Sequence, residues 1–208
     1  MKTKNLIFDI DGTLWDATHQ ITEAFNEVIA RENAAYPLLH DEQMAAVMGM
    51  VIEDIAARFF PYLAEEKRME LVFKCCANEN EYLKTHGGAL YPNVIEVLDA
   101  LLARGYQMFI VSNCQEGYVD ALCTAYPLGK YFIDSECSGR THRDKGSNIK
   151  ELMERNGLQD AIYIGDTQKD KDACDKAGIP FIFASYGFGC VDQYEAKIDT
   201  FLELKTLF

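Results

Sequence analysis

The chain has 208 residues, and 20 Lys and Arg against 33 Asp and Glu give it a formal charge of −13. With 49% hydrophobic and 25% charged residues and only 5 Pro, it can bury a core, which excludes disordered, collagen-like and low-complexity chains. The acidity opposes binding to nucleic acid or to an anionic membrane, since both need a basic face. It leaves a small anion open, provided that a site concentrates cation locally.

The residues before the first acid, Asp9, are too few for a signal peptide, and no apolar run approaches the roughly 18 residues of a membrane span. Seven cysteines, an odd number with no CxxC spacing, predict neither a disulfide framework nor a zinc site. They point to a reducing, cytoplasmic setting. Residues 5–10 form a short apolar run that ends in acids and Gly12, which predicts a buried strand and a turn. Ile21, Ala24, Phe25, Val28 and Ile29 fall on one helical face. From Asp41 to about His86 the pattern is helical throughout, with stripes at Met44, Val47 and Met48, then Ile52, Ile55, Ala56 and Phe59, then Leu71, Val72, Cys75 and Cys76. Gly87 and Gly88 break it.

The texture then changes. A helix over 93–104 stops at Gly105, and a strand over Met108–Val111 follows. A helix covers roughly 116–125, and a short extended segment lies near Tyr131–Ile133. A helix over 146–156 precedes a strand at Ala161–Ile164, a helix over 170–177 and a strand over 180–183. Apolar strands alternating with amphipathic helices predict an α/β fold, a Rossmann-like parallel sheet flanked by helices. The expected division is a core of 1–14 and 89–208, with a small all-helical cap of 15–88 inserted after the first strand. Ligands bind beyond the carboxyl ends of the strands in such sheets, so the insert would cover the site.

The acids sit at those ends. Asp9 and Asp11 close the first strand, Ser112 and Asn113 follow another, and Gly165-Asp166 follows a later one with Asp170 four residues on. Each acid alone is explained as a turn former or helix cap. Together they predict four converging carboxylates, which need a counter-charge. A hard cation with oxygen ligands, Mg2+, supplies it.

Asp9-Ile10-Asp11-Gly12-Thr13-Leu14 resembles the D-x-D-G-T-L signature of haloacid-dehalogenase-like phosphohydrolases. Val111-Ser112-Asn113 is similar to their second motif and Lys145 to the third. Gly165-Asp166-Thr167-Gln168-Lys169-Asp170 resembles the fourth, G-D-T-x-x-D. The insert is similar to the helical cap of the subgroup that contains phosphoglycolate phosphatases. The resemblance implies a Mg2+-dependent phosphatase of a small phosphorylated metabolite, phosphoglycolate-like, acting through an aspartyl-phosphate. Asp9 would be the nucleophile, Asp11 the general acid and base, and Lys145 the neutralising cation. Asp9, Asp11 (through its carbonyl), Asp166 and Asp170 would hold the metal. Gly12, Thr13, Ser112, Asn113 and the cap-loop Gly49 would surround the substrate. The implied partner is a small phosphate ester, with no nucleic acid or membrane, on a monomer or homodimer.

Two other readings share these motifs: a sugar phosphomutase of the β-phosphoglucomutase type, and a non-catalytic phosphometabolite-binding protein. The mutase cap loop resembles G-x-x-R-E, and Ile52 stands at the arginine here. Arg140, His142 and Arg143 form either a positive rim or a solvated loop. Cys114 beside the second motif is a candidate for oxidation, and Tyr186-Gly187-Phe188-Gly189 resembles a stretch after the last core strand of phosphoglycolate phosphatases.

Overall fold

The computed structural model describes residues 3–208; Met1 and Lys2, within the expected leader-free start and core, lie outside the described residues. In chain order the elements begin with β1 (Asn5–Phe8), β2 (Trp15–Asp16), α1 (Thr18–Glu32), α2 (Asp41–Ala45), α3 (Ile52–Phe59), α4 (Glu65–His86) and β3 (Ala89–Leu90). They continue with α5 (Val94–Ala103), β4 (Gln107–Ser112), α6 (Tyr118–Ala125), β5 (Phe132–Cys137), α7 (Ser138–Thr141), α8 (Lys145–Arg155) and β6 (Ile162–Gly165). The chain closes with α9 (Gln168–Ala177), β7 (Phe181–Ala184), β8 (Ala196–Ile198), a 3₁₀ turn (Phe201–Glu203) and α10 (Leu204–Leu207).

Six strands form one sheet in the order β5-β4-β1-β6-β7-β8, and every pairing in it is parallel. The first strand is central, and Leu6, Ile7 and Phe8 are wholly buried because helices cover both faces. Leu6 and Phe8 join one core cluster, while Ile7 joins the other with Ile149 and Leu152 of α8. This is the α/β fold that the alternation of patterns predicts. Among the described residues no helix is long and apolar enough to cross a membrane.

Helices α1 to α4 lie between β2 and β3, a two-residue antiparallel ladder that pairs Trp15 with Leu90 and Asp16 with Ala89. The ladder brings the two crossings of the chain side by side. Gly88 permits it, since a Cβ there would lie 2.8 Å from the Ala17 Cβ. The expected continuous helicity after Asp41 is corrected: α2 stops at Ala45 and α3 starts at Ile52. Between them Gly49 takes a φ of 75°, and its carbonyl accepts a 3.0 Å bond from Asn113 Nδ2. The backbone leaves the helix to reach the sheet edge.

Two strands differ from expectation. The short segment near Tyr131 is a full strand, Phe132–Cys137, whose Asp134-Ser135-Glu136 centre hides it from an apolar search. Glu136 is buried there, paired with Arg140 at 2.8 Å and with Arg155. The edge strand β8 is only three residues long and has no apolar run to mark it.

Candidate active site

Strands β1, β4 and β6 are neighbours and parallel, so the loops after them open on one edge. The Asp9 N–H still donates to the Ile164 carbonyl at 2.9 Å, which holds Asp9 in register at that edge. Asp166 follows the end of β6. The turn into α9 is a capping box: Asp170 N–H donates to Thr167 Oγ1, and Asp170 accepts in return. Asp170 Oδ2 receives the Thr167 N–H at 2.9 Å, the Thr167 hydroxyl at 2.7 Å and the Asp166 N–H at 3.2 Å. Lys145 is the first residue of α8, behind an Asp144 cap that accepts from the Ser147 N–H.

Lys145 Nζ donates to Asp9 Oδ2 at 2.8 Å and to Asp170 Oδ1 at 2.6 Å. All three side chains are at most 4% exposed. The other Asp9 oxygen accepts the Ile10 N–H at 2.8 Å. Carboxylate oxygens of Asp9, Asp166 and Asp170 lie within 4.8 Å of one another. Asp166 Oδ2 accepts the Phe188 N–H at 2.7 Å, whereas Asp166 Oδ1 is buried with no hydrogen-bond partner.

A buried carboxylate oxygen without a donor is costly. Three acids against one ammonium leave the group two negative charges in excess. The donors are all hard oxygens, and Asp166 brings to the group a buried oxygen with no hydrogen-bond partner. The residues therefore fit a Mg2+-type cation. The electrostatics carry the same strain. Burial pushes Asp166 up to about 8, with Asp170 and Asp9 adding like-charge repulsion. Burial also raises Asp9, against the pull of Lys145. Burial opposes the Lys145 ammonium, yet Asp170 and Asp9 outweigh it and hold its pKa above the ordinary value. At Asp170 the Lys145 charge and the Lys145 and Thr167 bonds overcome burial, and the carboxyl is held low.

The expectation of four converging carboxylates is corrected to three. The Asp11 carboxyl stands apart, where Oδ1 accepts the Tyr118 hydroxyl at 2.6 Å and the Trp15 indole N–H at 2.9 Å. Burial pushes Asp11 up to about 7, opposed by the Tyr118 bond and supported by the Asp9 charge. A carboxyl that titrates there is matched to proton transfer near neutral pH.

Gly12 allows close approach, but its near neighbour is Asp166: a Cβ on Gly12, at a φ of +76°, would sit 2.1 Å from Asp166 Oδ2. Gly187 closes the other side, where a Cβ would lie 2.4 Å from both Asp166 Oδ2 and the Gly12 carbonyl. Thr13 is buried, and its carbonyl accepts from the Tyr186 hydroxyl at 2.9 Å. Ser112 and Asn113 line a cavity together with Asp9, Asp11 and Gly49. A Cβ on Gly49 would lie 3.5 Å from the Thr167 methyl group. The structure thus brings Asp9, Asp166, Asp170 and Lys145 together and sets Asp11, Ser112, Asn113 and Gly49 around the cavity beside Asp9.

Sequence reasoning missed Tyr118, Trp15, Thr167 and the Phe188 N–H. Thr167 sits inside the fourth motif and Trp15 directly after the first. Tyr118 reaches Asp11 across 107 residues and carried no signal. The arginines of the suspected rim are engaged locally, Arg140 with Glu136 and Arg143 with Glu151 at 2.7 Å. Cys114 is no thiolate: the Cys137 neighbour and burial push its thiol well up, while Cys137 is lowered to about 7 by Cys114.

A family model described as haloacid dehalogenase-like hydrolase matches residues 6–184. A phosphoglycolate phosphatase of Rhodospirillum rubrum is 29% identical over 204 residues, covering 89% of this chain and 80% of that protein. A 5'-nucleotidase of Pseudomonas aeruginosa is 24% identical over 210 residues, covering 96% of this chain and 90% of its own. A crystal structure of a predicted phosphoglycolate phosphatase from Haemophilus somnus superposes with a TM-score of 0.86 at 21% identity, over 100% of this chain and 99% of that one.

Proposed function

The chain belongs to the haloacid dehalogenase-like hydrolases, and from that premise we propose that it hydrolyses the monoester of a small phosphorylated metabolite through an aspartyl-phosphate on Asp9. The observation that carries this reading is the group of Asp9, Asp166 and Asp170 around an orphaned carboxylate oxygen, with Lys145 bonded to Asp9 and Asp170.

The Asp9 carboxylate attacks phosphorus and the ester P–O bond breaks. Asp11, raised to about 7, gives its proton to the departing alkoxide. The resulting Asp11 carboxylate then takes a proton from water, the water attacks phosphorus, and Asp9 leaves. Tyr118 and Trp15 fix Asp11 through the same oxygen, which leaves its second oxygen for the proton. Lys145 restrains and neutralises Asp9. Ser112 and the Asn113 backbone N–H bind phosphoryl oxygens, with Gly12 and Thr13 shaping the loop beside them. Asp9, Asp166, Asp170 and the Asp11 carbonyl would hold Mg2+, which when bound disperses the negative charge of the phosphoryl group. Residues 1–14 and 89–208 act as the catalytic core and 15–88 as the cap, with Gly49 as its contact to the site.

The relatives' names bring phosphoglycolate to this chain as the reference ester. Against a mutase stands Ile52, an apolar residue lining the cavity where the mutase-like loop has an arginine. The test is phosphate release from p-nitrophenyl phosphate, ethyl phosphate and phosphoglycolate, with Mg2+ and with chelator. Turnover that needs Mg2+ and vanishes in Asp9→Asn supports the reading. Undiminished turnover in Asp9→Asn overturns it.

A further inference from the structure

The cavity that Asp9 and Asp11 share with the cap has a volume of ≈ 50 Å³. Its helical side is apolar, built from Phe25, Met44, Val47 and Ile55 among others, and carries one acid, Glu79 of α4. Glu79 is 4% exposed, and among the described residues it makes no ion pair. Burial pushes its carboxyl up to about 8, opposed by a hydrogen bond from Gln115 and supported by the Asp11 charge.

No Lys, Arg or His lines this cavity among its described residues. Among its neutral donors, Asn113 Nδ2 bonds the Gly49 carbonyl at 3.0 Å, the Tyr118 hydroxyl bonds Asp11, and Gln115 bonds Asn80 Oδ1 at 3.1 Å and donates to Glu79 as well. The adjoining groove carries His142 and Arg143 but also Glu53, Glu116 and Asp144, and Arg143 is paired with Glu151. A carboxylate on the alcohol would therefore meet apolar side chains and a second carboxyl, with no cation to compensate its desolvation. A hydroxyl or ammonium would give the buried Glu79 a donor from the substrate beside the Gln115 amide.

We propose that Glu79 is a specificity-determining residue, selecting phosphate monoesters of alcohols that bear a hydrogen-bond donor and rejecting those that bear a carboxylate. The inference rests on the phosphatase reading for its kinetics. It departs from phosphoglycolate as the preferred ester. A site built around one polar partner discriminates strongly against analogues that leave that partner unpaired, so the expected ratios are tenfold or larger.

The test compares kcat/KM for O-phosphoethanolamine, glycerol 3-phosphate, ethyl phosphate and phosphoglycolate in the wild type and in Glu79→Gln, with Mg2+. The donor-bearing esters should exceed phosphoglycolate by about tenfold or more, and Glu79→Gln should shrink that ratio through KM. Preference for O-phosphoethanolamine over glycerol 3-phosphate identifies an ammonium as the donor; the reverse identifies a hydroxyl. Phosphoglycolate turned over at least as well as both, or a ratio that Glu79→Gln leaves in place, overturns the proposal. Affinities of Asp9→Asn for the same four esters, by calorimetry, give the ranking independently of turnover. That ranking with no hydrolysis by the wild type would overturn the phosphatase reading and uphold the selectivity. Equal affinities would overturn the selectivity.

Discussion

The two walls of the cavity are built on opposite principles. On the sheet side nearly every polar atom is assigned: Lys145 bridges Asp9 and Asp170, the Thr167 turn holds Asp170, and two glycines let the backbone close on Asp166. On the helical side, apolar residues from α1, α2 and α3 surround a single acid on α4 that has no cation. The first wall is suited to hold charge in fixed places, as phosphoryl transfer requires. The second is suited to sort alcohols. The same contrast separates what is rigid from what is adaptable: changes to the first wall should abolish chemistry, and changes to the second should redistribute it.

The sharpest break is Asp9→Asn, which should lower kcat by about 10³-fold or more, because it removes the carboxylate that forms the acyl phosphate. Phosphate release in steady state measures it. Lys145→Ala comes next. It strips the cation from Asp9 and Asp170 in a buried setting, where breaking such a pair costs about 3–5 kcal/mol. Urea unfolding should show that loss, with turnover falling alongside; stability unchanged would mean the pair is not buried as described. Gly187→Ala should push on Asp166 and the Gly12 carbonyl, given the 2.4 Å approaches. A displaced metal-facing acid should weaken Mg2+ activation by about 10–100-fold, read from a Mg2+ titration of turnover, and an unmoved titration would deny Asp166 its part.

On the helical wall the effect is smaller and depends on pH. The Glu79 carboxyl is raised from 4.5 to about 8, so between those values the folded chain keeps a proton that the unfolded chain has lost. Stability from this group is therefore fully present below 4.5 and falls as pH rises towards 8. Glu79→Gln removes the titration. Its unfolding free energy should match the wild type at low pH and exceed it increasingly towards pH 8, by up to about 1.4 kcal/mol per pKa unit. A difference independent of pH would place Glu79 in water rather than in the cavity.

The two walls also differ in how far the sequence discloses them. Asp9, Asp11 and Asp166 are legible because they follow short apolar strands, Asp170 because it opens the helix behind Asp166, and parallel pairing brings the strand ends together. Glu79 is not legible. Helix α4 carries many acids on a weakly apolar face, and only packing against α1 and α6 buries this one. Tyr118 is hidden for the same reason: its hydroxyl finds Asp11 through the fold. Strands β5 and β8 escape because they lie at the sheet edges, where one needs polar partners such as Arg155 and the other needs only three residues. The break at Gly49 follows from a contact with Asn113 that no helical periodicity contains.

The central claim is that Asp9 carries the phosphoryl group between substrate and water while Asp11 moves the protons. Asp11→Asn keeps an oxygen for Tyr118 and Trp15 but cannot activate water. Mass spectrometry of this variant after rapid mixing with p-nitrophenyl phosphate and Mg2+, followed by acid quench and digestion, should show one phosphoryl group on the peptide that contains Asp9. Product release with no phosphoryl group on that peptide, or with the group on another residue, would contradict the account.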